Sequence, residues 1–328
     1  MMQFRTQSVR VRRRAGVAAA LLAVVAGSAC SPRVSSSTTT TTTLVPGQPI
    51  PNPGQRTLDA YRGLGAWVDV FDYVPAFQTG GATPRVSAAN VEDMARLGVK
   101  TLYLQVSRDD ERSPTPIVDE QLVSEFVRRA HAHGVRVVAW YAPRLLDANA
   151  DLARVVAMDK FRVDGHGFDG IALDIEATDV ADIPTRNDAL IALSISARRE
   201  VRGTLGAIVL PTVQIESLSS TFWPSFPWGA IAKSYDVWLP MAYATFRKEP
   251  YRDHVRYIDE SVQRMRANLG NPKAEVHVIG GIADKMTPED FAAVRQAGLD
   301  TKALGWSAYD YATTPSTAWP ELRDSEKR

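Results

Sequence analysis

Cysteine occurs once and histidine five times in 328 residues, and these scarcities remove whole classes of chemistry. Cys30 alone offers no disulfide framework and leaves no thiol nucleophile for the rest of the chain. His131 and His133 stand two apart on an expected helix, where such residues face different ways, and His166, His254 and His277 are scattered. No metal ligand set is indicated, and no cofactor. A Gly-x-Ser-x-Gly elbow is missing, as is a glycine-rich phosphate loop after the first strand-like run. An excess of one charge is missing too: 38 basic residues face 37 acidic ones. There is no basic footprint for nucleic acid. The charge run at 108–112 reads as a solvated loop.

The first 29 residues read as a targeting segment. Five arginines precede an apolar run at 15–29 that is too short and one-sided for a membrane span. The run closes on Gly27-Ser28-Ala29-Cys30, which resembles the lipobox of bacterial lipoproteins. Gly27 departs from the usual Leu or Val. The resemblance implies lipidation at Cys30, export and anchorage to the outer face of the membrane; ordinary cleavage and secretion is the alternative. Losing those arginines takes the formal net charge from +1 to −4. Residues 30–57, with six consecutive threonines and five prolines, cannot bury enough apolar surface to offset their ordering entropy and read as a tether.

Residues 58–328 have a repeating organisation. Strand-like runs occur at 65–71, 100–106, 135–141, 168–175, 207–215, 237–242, 275–280 and 304–309, mostly separated by helical patterns. Gly98 and Gly134 stand as helix C-terminal residues, and Thr287-Pro288-Glu289-Asp290 opens a helix that Gly298 is expected to end. Eight such alternations predict a TIM (β/α)8 barrel, expected to be a monomer.

The most informative run is Asp169-Gly-Ile-Ala-Leu-Asp174-Ile-Glu176. Strand side chains alternate, so Ala172, Asp174 and Glu176 share one face and Ile171, Leu173 and Ile175 the other. The two acids stand about 6.6 Å apart along the strand. Inward-facing acids are costly to bury without partners or a purpose. Barrel sites form at the C-terminal strand ends, where the sequence places Asp69, Trp140, Tyr141, Gln214, Glu216, Met241, Tyr243, Trp306 and Asp310. Aromatic platforms beside acids suit sugar rings. Trp223, Trp228 and Trp238 also admit plain packing roles.

The strand-four run resembles the Asp-Gly-x-Asp-x-Asp-x-Glu signature of glycoside hydrolase family 18, the chitinases and endo-N-acetylglucosaminidases. Met241-Ala242-Tyr243 is similar to the family's Met-x-Tyr, and Trp306 falls where the family has a late tryptophan. The resemblance implies Glu176 as general acid, Asp174 orienting the substrate's 2-acetamido group, Tyr243 hydrogen-bonding that group, and Trp306 forming the floor beneath the sugar. Two positions depart: Ala172 stands where the family has its middle aspartate, and Ala244 where an aspartate often follows the tyrosine.

Three readings follow. The first is an exported hydrolase of N-acetylhexosamine-containing polysaccharide. The second is a barrel glycosidase pairing Glu176 with a second carboxylate from Glu216, Asp284 or Asp310. The third is a non-catalytic surface protein that binds glycans.

Overall fold

The computed structural model describes residues 56–323. The expected targeting segment, Cys30 and all of the tether except Arg56 and Thr57 lie outside the described residues. Strands and helices alternate along the chain: β1 (Gly63–Val68), α1 (Val70–Tyr73), α2 (Asn90–Arg96), β2 (Thr101–Gln105), α3 (Glu120–Ala132), β3 (Arg136–Tyr141), α4 (Ala148–Lys160) and β4 (Gly170–Ile175). There follow α5 (Ile183–Glu200), β5 (Leu205–Val209), α6 (Trp228–Ile231), β6 (Val237–Pro240), α7 (His254–Asn268), β7 (His277–Ile282), α8 (Pro288–Asp300), β8 (Gly305–Tyr309) and α9 (Trp319–Leu322). Strand pairings are parallel in the order β6-β5-β4-β3-β2-β1-β8-β7. Parallel bridges from Trp238 to Val276 and from Met241 to Ile279 join β6 to β7 and complete the ring. The expected (β/α)8 barrel is the fold. No helix among the described residues is long and apolar enough to cross a membrane.

Period-two alternation divides the core into two layers. Ile171, Leu173 and Ile175 of β4 face outward beneath the helices. Ala172 faces inward among Trp67, Tyr103, Trp140, Ile208, Leu239, Met241 and Ile279. At the N-terminal pole a 3-10 turn (Asp59–Tyr61) drives Tyr61 into the barrel. Its hydroxyl donates to the Ile171 carbonyl at 2.7 Å. The ring lies where a Cβ on Gly170 or Gly206 would come within 3.0 Å of it, so glycine is needed at both strand starts.

Local signals fix the helix ends. Asp119 caps α3 by accepting from the Leu122 N–H at 3.0 Å. Thr287 and Asp290 form a reciprocal capping box on α8. Gly98 and Gly134 follow α2 and α3 at φ +88° and +68°, as expected. Several boundaries differ from expectation: β1 ends at Val68 rather than 71, because Asp69 caps α1 there. Strand β5 stops at Val209 rather than 215, because Pro211 has no N–H to continue the ladder, and residues 214–218 form a π-helical turn. Gly298 lies inside α8 rather than ending it; a Cβ there would stand 2.7 Å from the Trp306 ring. Its role is close helix–strand approach.

Candidate active site

Asp174 and Glu176 leave β4 on the inner face at the C-terminal mouth, with Asp174 in register with Ile208 of β5. Asp174 is 7% exposed and its Oδ1 has no hydrogen-bond partner among the described residues. Burial pushes its pKa well up, and the neighbouring Glu176 charge pushes it further. Glu176 opens to solvent at the mouth. The surrounding wall still raises its pKa by desolvation, while the positive charge of Arg108 pulls the other way. The result is a carboxyl at the mouth whose pKa burial raises, beside a nearly dry second carboxyl. Such a pair can donate a proton at the mouth while holding a polar group at depth.

Tyr243 follows β6 and is half-buried. Desolvation, then the charges of Asp174, Glu176 and Asp310, hold its phenol protonated and able to donate. Its ring lies 6.4 Å from that of Tyr309. Met241 and Trp140 both line the barrel interior, and the Trp140 Nε1 is buried without a partner among the described residues. Gln214 sits in the turn after β5, with its Oε1 likewise unpartnered.

A second acidic group flanks this pair. Carboxylate oxygens of Asp69, Asp72 and Asp310 lie within 4.8 Å of one another. Each is held by protein donors. Asp69 accepts from the Phe71 N–H at 2.8 Å and the Tyr309 hydroxyl at 2.6 Å. Asp72 accepts from Arg85 at 2.6 Å, and Asp310 from the Thr313 N–H at 2.9 Å. Burial first, then Asp69 and Asp310, raise the Asp72 pKa to about 7.

Four expected site candidates are engaged elsewhere. Trp306 faces outward into the helix layer and donates from Nε1 to the Leu322 carbonyl at 2.7 Å, so it is not a floor for a sugar. The inward positions of β8 are Ser307 and Tyr309, the opposite parity. Tyr141 also faces outward, its hydroxyl donating to Asp151 of α4 at 2.5 Å. Glu216 is exposed on the outer wall, accepting from Asn268 of α7 at 2.5 Å. Asp284 is exposed and paired with Lys285 at 2.9 Å. Trp223, Trp228 and Trp238 pack in the outer layer.

Trp67, Tyr309 and Arg108 complete the interior and mouth; the sequence places Tyr309 at the end of the last strand beside Trp306 and Asp310, but gives Trp67 and Arg108 no site role. Trp67 stacks on Tyr103 with centroids 4.3 Å apart and planes 9° apart, and its Nε1 donates to Ser307 at 2.8 Å. It shares strand parity with Asp69, the signal that finds it. Tyr309 is three residues from Trp306 and therefore on the other face. Arg108, from the run read as a solvated loop, stands over the Phe71 ring with Cζ 4.8 Å from the centroid.

No family model matches the chain, and no curated protein matches it. Solved structures do. The barrel is similar to the spore cortex-lytic enzyme SleL of Bacillus cereus, with TM-score 0.57 and 10% identity over 80% of this chain and 73% of that one. It is similar to the C-terminal domain of a putative chitinase from Desulfitobacterium hafniense, with TM-score 0.58 and 13% identity over 80% and 98%. A glycoside hydrolase family 18 N-acetylglucosaminidase from Paenibacillus barengoltzii gives TM-score 0.54 and 9% identity over 80% and 98%. At such identities the likeness establishes the fold, a glycosidase-like TIM barrel.

Proposed function

We propose that the protein hydrolyses O-glycosidic bonds of N-acetylhexosamine-containing polysaccharide, with Glu176 as general acid. The observation that carries this reading is the pairing on β4: an accessible carboxyl of raised pKa one inward position beyond a buried carboxyl with an unpartnered oxygen. Glu176 gives its proton to the glycosidic oxygen as the bond to the anomeric carbon breaks. The substrate's acetamido carbonyl oxygen forms the new bond to that carbon, so the second nucleophile comes from the sugar. Asp174 accepts from the acetamido N–H, and the Tyr243 hydroxyl donates to the acetamido oxygen. Glu176, now ionised, takes a proton from the water that completes hydrolysis with retention. The proposal includes export and a lipid anchor at Cys30, with a glycan as partner.

Product formation from N-acetylglucosamine oligomers and peptidoglycan, by the parent and by Glu176→Gln, tests it. Cleavage by the parent alone supports the reading; equal turnover by the variant removes Glu176 as the acid. Ala172, fully buried among apolar and aromatic neighbours, favours a second reading, a glycan-binding protein without turnover. Saturable binding without product, equal in both proteins, selects it. Pairing Glu176 with a second protein carboxylate keeps Asp310 as its partner, since Glu216 is taken by Asn268 and Asp284 by Lys285.

A further inference from the structure

We propose that Arg108 recognises a carboxylate on the glycan, so that the substrate is an acidic N-acetylhexosamine polymer rather than a neutral one. The inference rests on the glycosidase reading above and names the substrate class of the same site.

Arg108 leaves the C-terminal end of β2 and reaches the mouth. Its guanidinium is held over the half-exposed Phe71 ring at 4.8 Å, an attraction that uses none of its N–H donors. Three other arginines of the neighbouring β2, β3 and α4 segments are engaged. Arg112 grips Asp110 with two bonds of 2.8 and 2.7 Å. Arg144 donates to Asp179 at 2.7 Å, and Arg154 to the Thr115 carbonyl at 3.0 Å. Arg108 donates no hydrogen bond to any described residue. Its nearest acid, Asp110, is 3.7 Å away and already taken by Arg112. Its Nε, the atom facing Asp110, is shielded from solvent, while the terminal amino groups donate to no described residue and stay open to an acceptor.

Arg108 follows β2 at the same end of the barrel at which Glu176 follows β4, and its charge reaches Glu176, whose pKa it lowers. The other charged groups nearby are mostly acids, Asp110, Asp69, Asp72, Asp174 and Asp310, with Arg85 bound to Asp72, and each acid repels an anion when ionised. A neutral sugar needs no cation at this point; an acidic sugar needs one. The planar fork of a guanidinium matches a carboxylate with two parallel bonds. A site built around such an unmet donor discriminates against analogues lacking the acceptor. The carboxylate has two chemical sources, an ether-linked lactyl group on an N-acetylhexosamine or a ring carboxylate of a neighbouring uronic acid.

The test compares kcat/KM and Kd of the full protein, Arg108→Gln and Arg108→Lys. The probes are N-acetylglucosamine–N-acetylmuramic acid oligomers, the same oligomers with carboxyl groups reduced to alcohols, and N-acetylhexosamine–uronic acid oligomers. The parent is expected to prefer one carboxylate probe over the reduced oligomer by about 10- to 100-fold, the scale of a hydrogen bond to a charged group. Which carboxylate probe is preferred identifies the source. Arg108→Gln brings the ratio close to one, and Arg108→Lys keeps part of it. Equal treatment of acidic and reduced oligomers by the parent overturns the inference and leaves the glycosidase reading standing. So does an equal loss on both probes in Arg108→Gln. If the parent binds and cleaves none of them, both fall. Binding without cleavage leaves the ratio readable from Kd.

Discussion

The Tyr309 hydroxyl donates to the Asp69 carboxylate at 2.6 Å, tying the end of the last strand to the end of the first. Asp69 in turn caps α1, and Tyr309 lies beside Tyr243. The mouth is therefore braced across the seam where β1 meets β8. Asp69 acts as a brace here, which leaves Glu176 and Asp174 as the pair open to chemistry.

Glu176→Gln is expected to lower turnover by about 10²- to 10⁴-fold, the range for a positioned general acid. The amide keeps the size of the acid, so Kd for substrate stays within a few-fold of the parent. Single-turnover kinetics alongside calorimetry separate the two.

Activity should fall as pH rises through the Glu176 pKa, because the acid must carry its proton to donate it. Burial raises that pKa and Arg108 lowers it. Removing the Arg108 charge thus raises it further, and the alkaline limb of the kcat/KM profile in Arg108→Gln moves to higher pH. An unmoved limb on a neutral oligomer assigns the limb to another group.

Trp306→Phe should act on stability and leave KM unchanged. The variant loses the bond to the Leu322 carbonyl and part of its packing on Gly298, a loss of about 1–3 kcal/mol. Trp67→Ala removes the plate stacked on Tyr103 and should cost about 3–5 kcal/mol. Chemical denaturation reads both, and a large KM change in Trp306→Phe restores that residue to the cleft.

Asp72 and His277 give stability opposite pH dependences. Asp72, raised from 3.8 to about 7, holds a proton in the folded state that the unfolded chain has lost, so its contribution falls as pH rises across that window. His277, lowered by burial to about 4, stays neutral while the unfolded chain takes up a proton, so its contribution rises from about 4 to 6.5. Asp72→Asn cancels the first alone. The difference in unfolding free energy between variant and parent should shift towards the variant by on the order of 4 kcal/mol from pH 4 to pH 7. A flat difference curve places the Asp72 pKa near its ordinary value.

Parity and punctuation made the barrel legible. Alternation along residues 168–176 placed Asp174 and Glu176 inward, and Thr287, Asp119, Gly98 and Gly134 marked helix ends by rules local to the chain. The same alternation applied to β8 separates Trp306 from Tyr309, yet an aromatic beside a strand end looks alike on either face until the register is known. Glu216 falls outside the strand-end set because the apolar run at 207–215 is broken at Pro211, which alternation alone does not reveal. Arg108 is different in kind. Five charges in a row reveal nothing about which one lacks a partner, because that depends on Arg112, Arg144 and Arg154 having found theirs in three dimensions.

Tyr61, wedged beneath Gly170 and Gly206, stoppers one pole of the barrel. Among the described residues that pole is closed, and a polymer cannot thread along the axis. A long chain would have to lie across the mouth as a rope across a well-head, and the wider rim around Phe71 and Arg108 becomes where its neighbouring units rest.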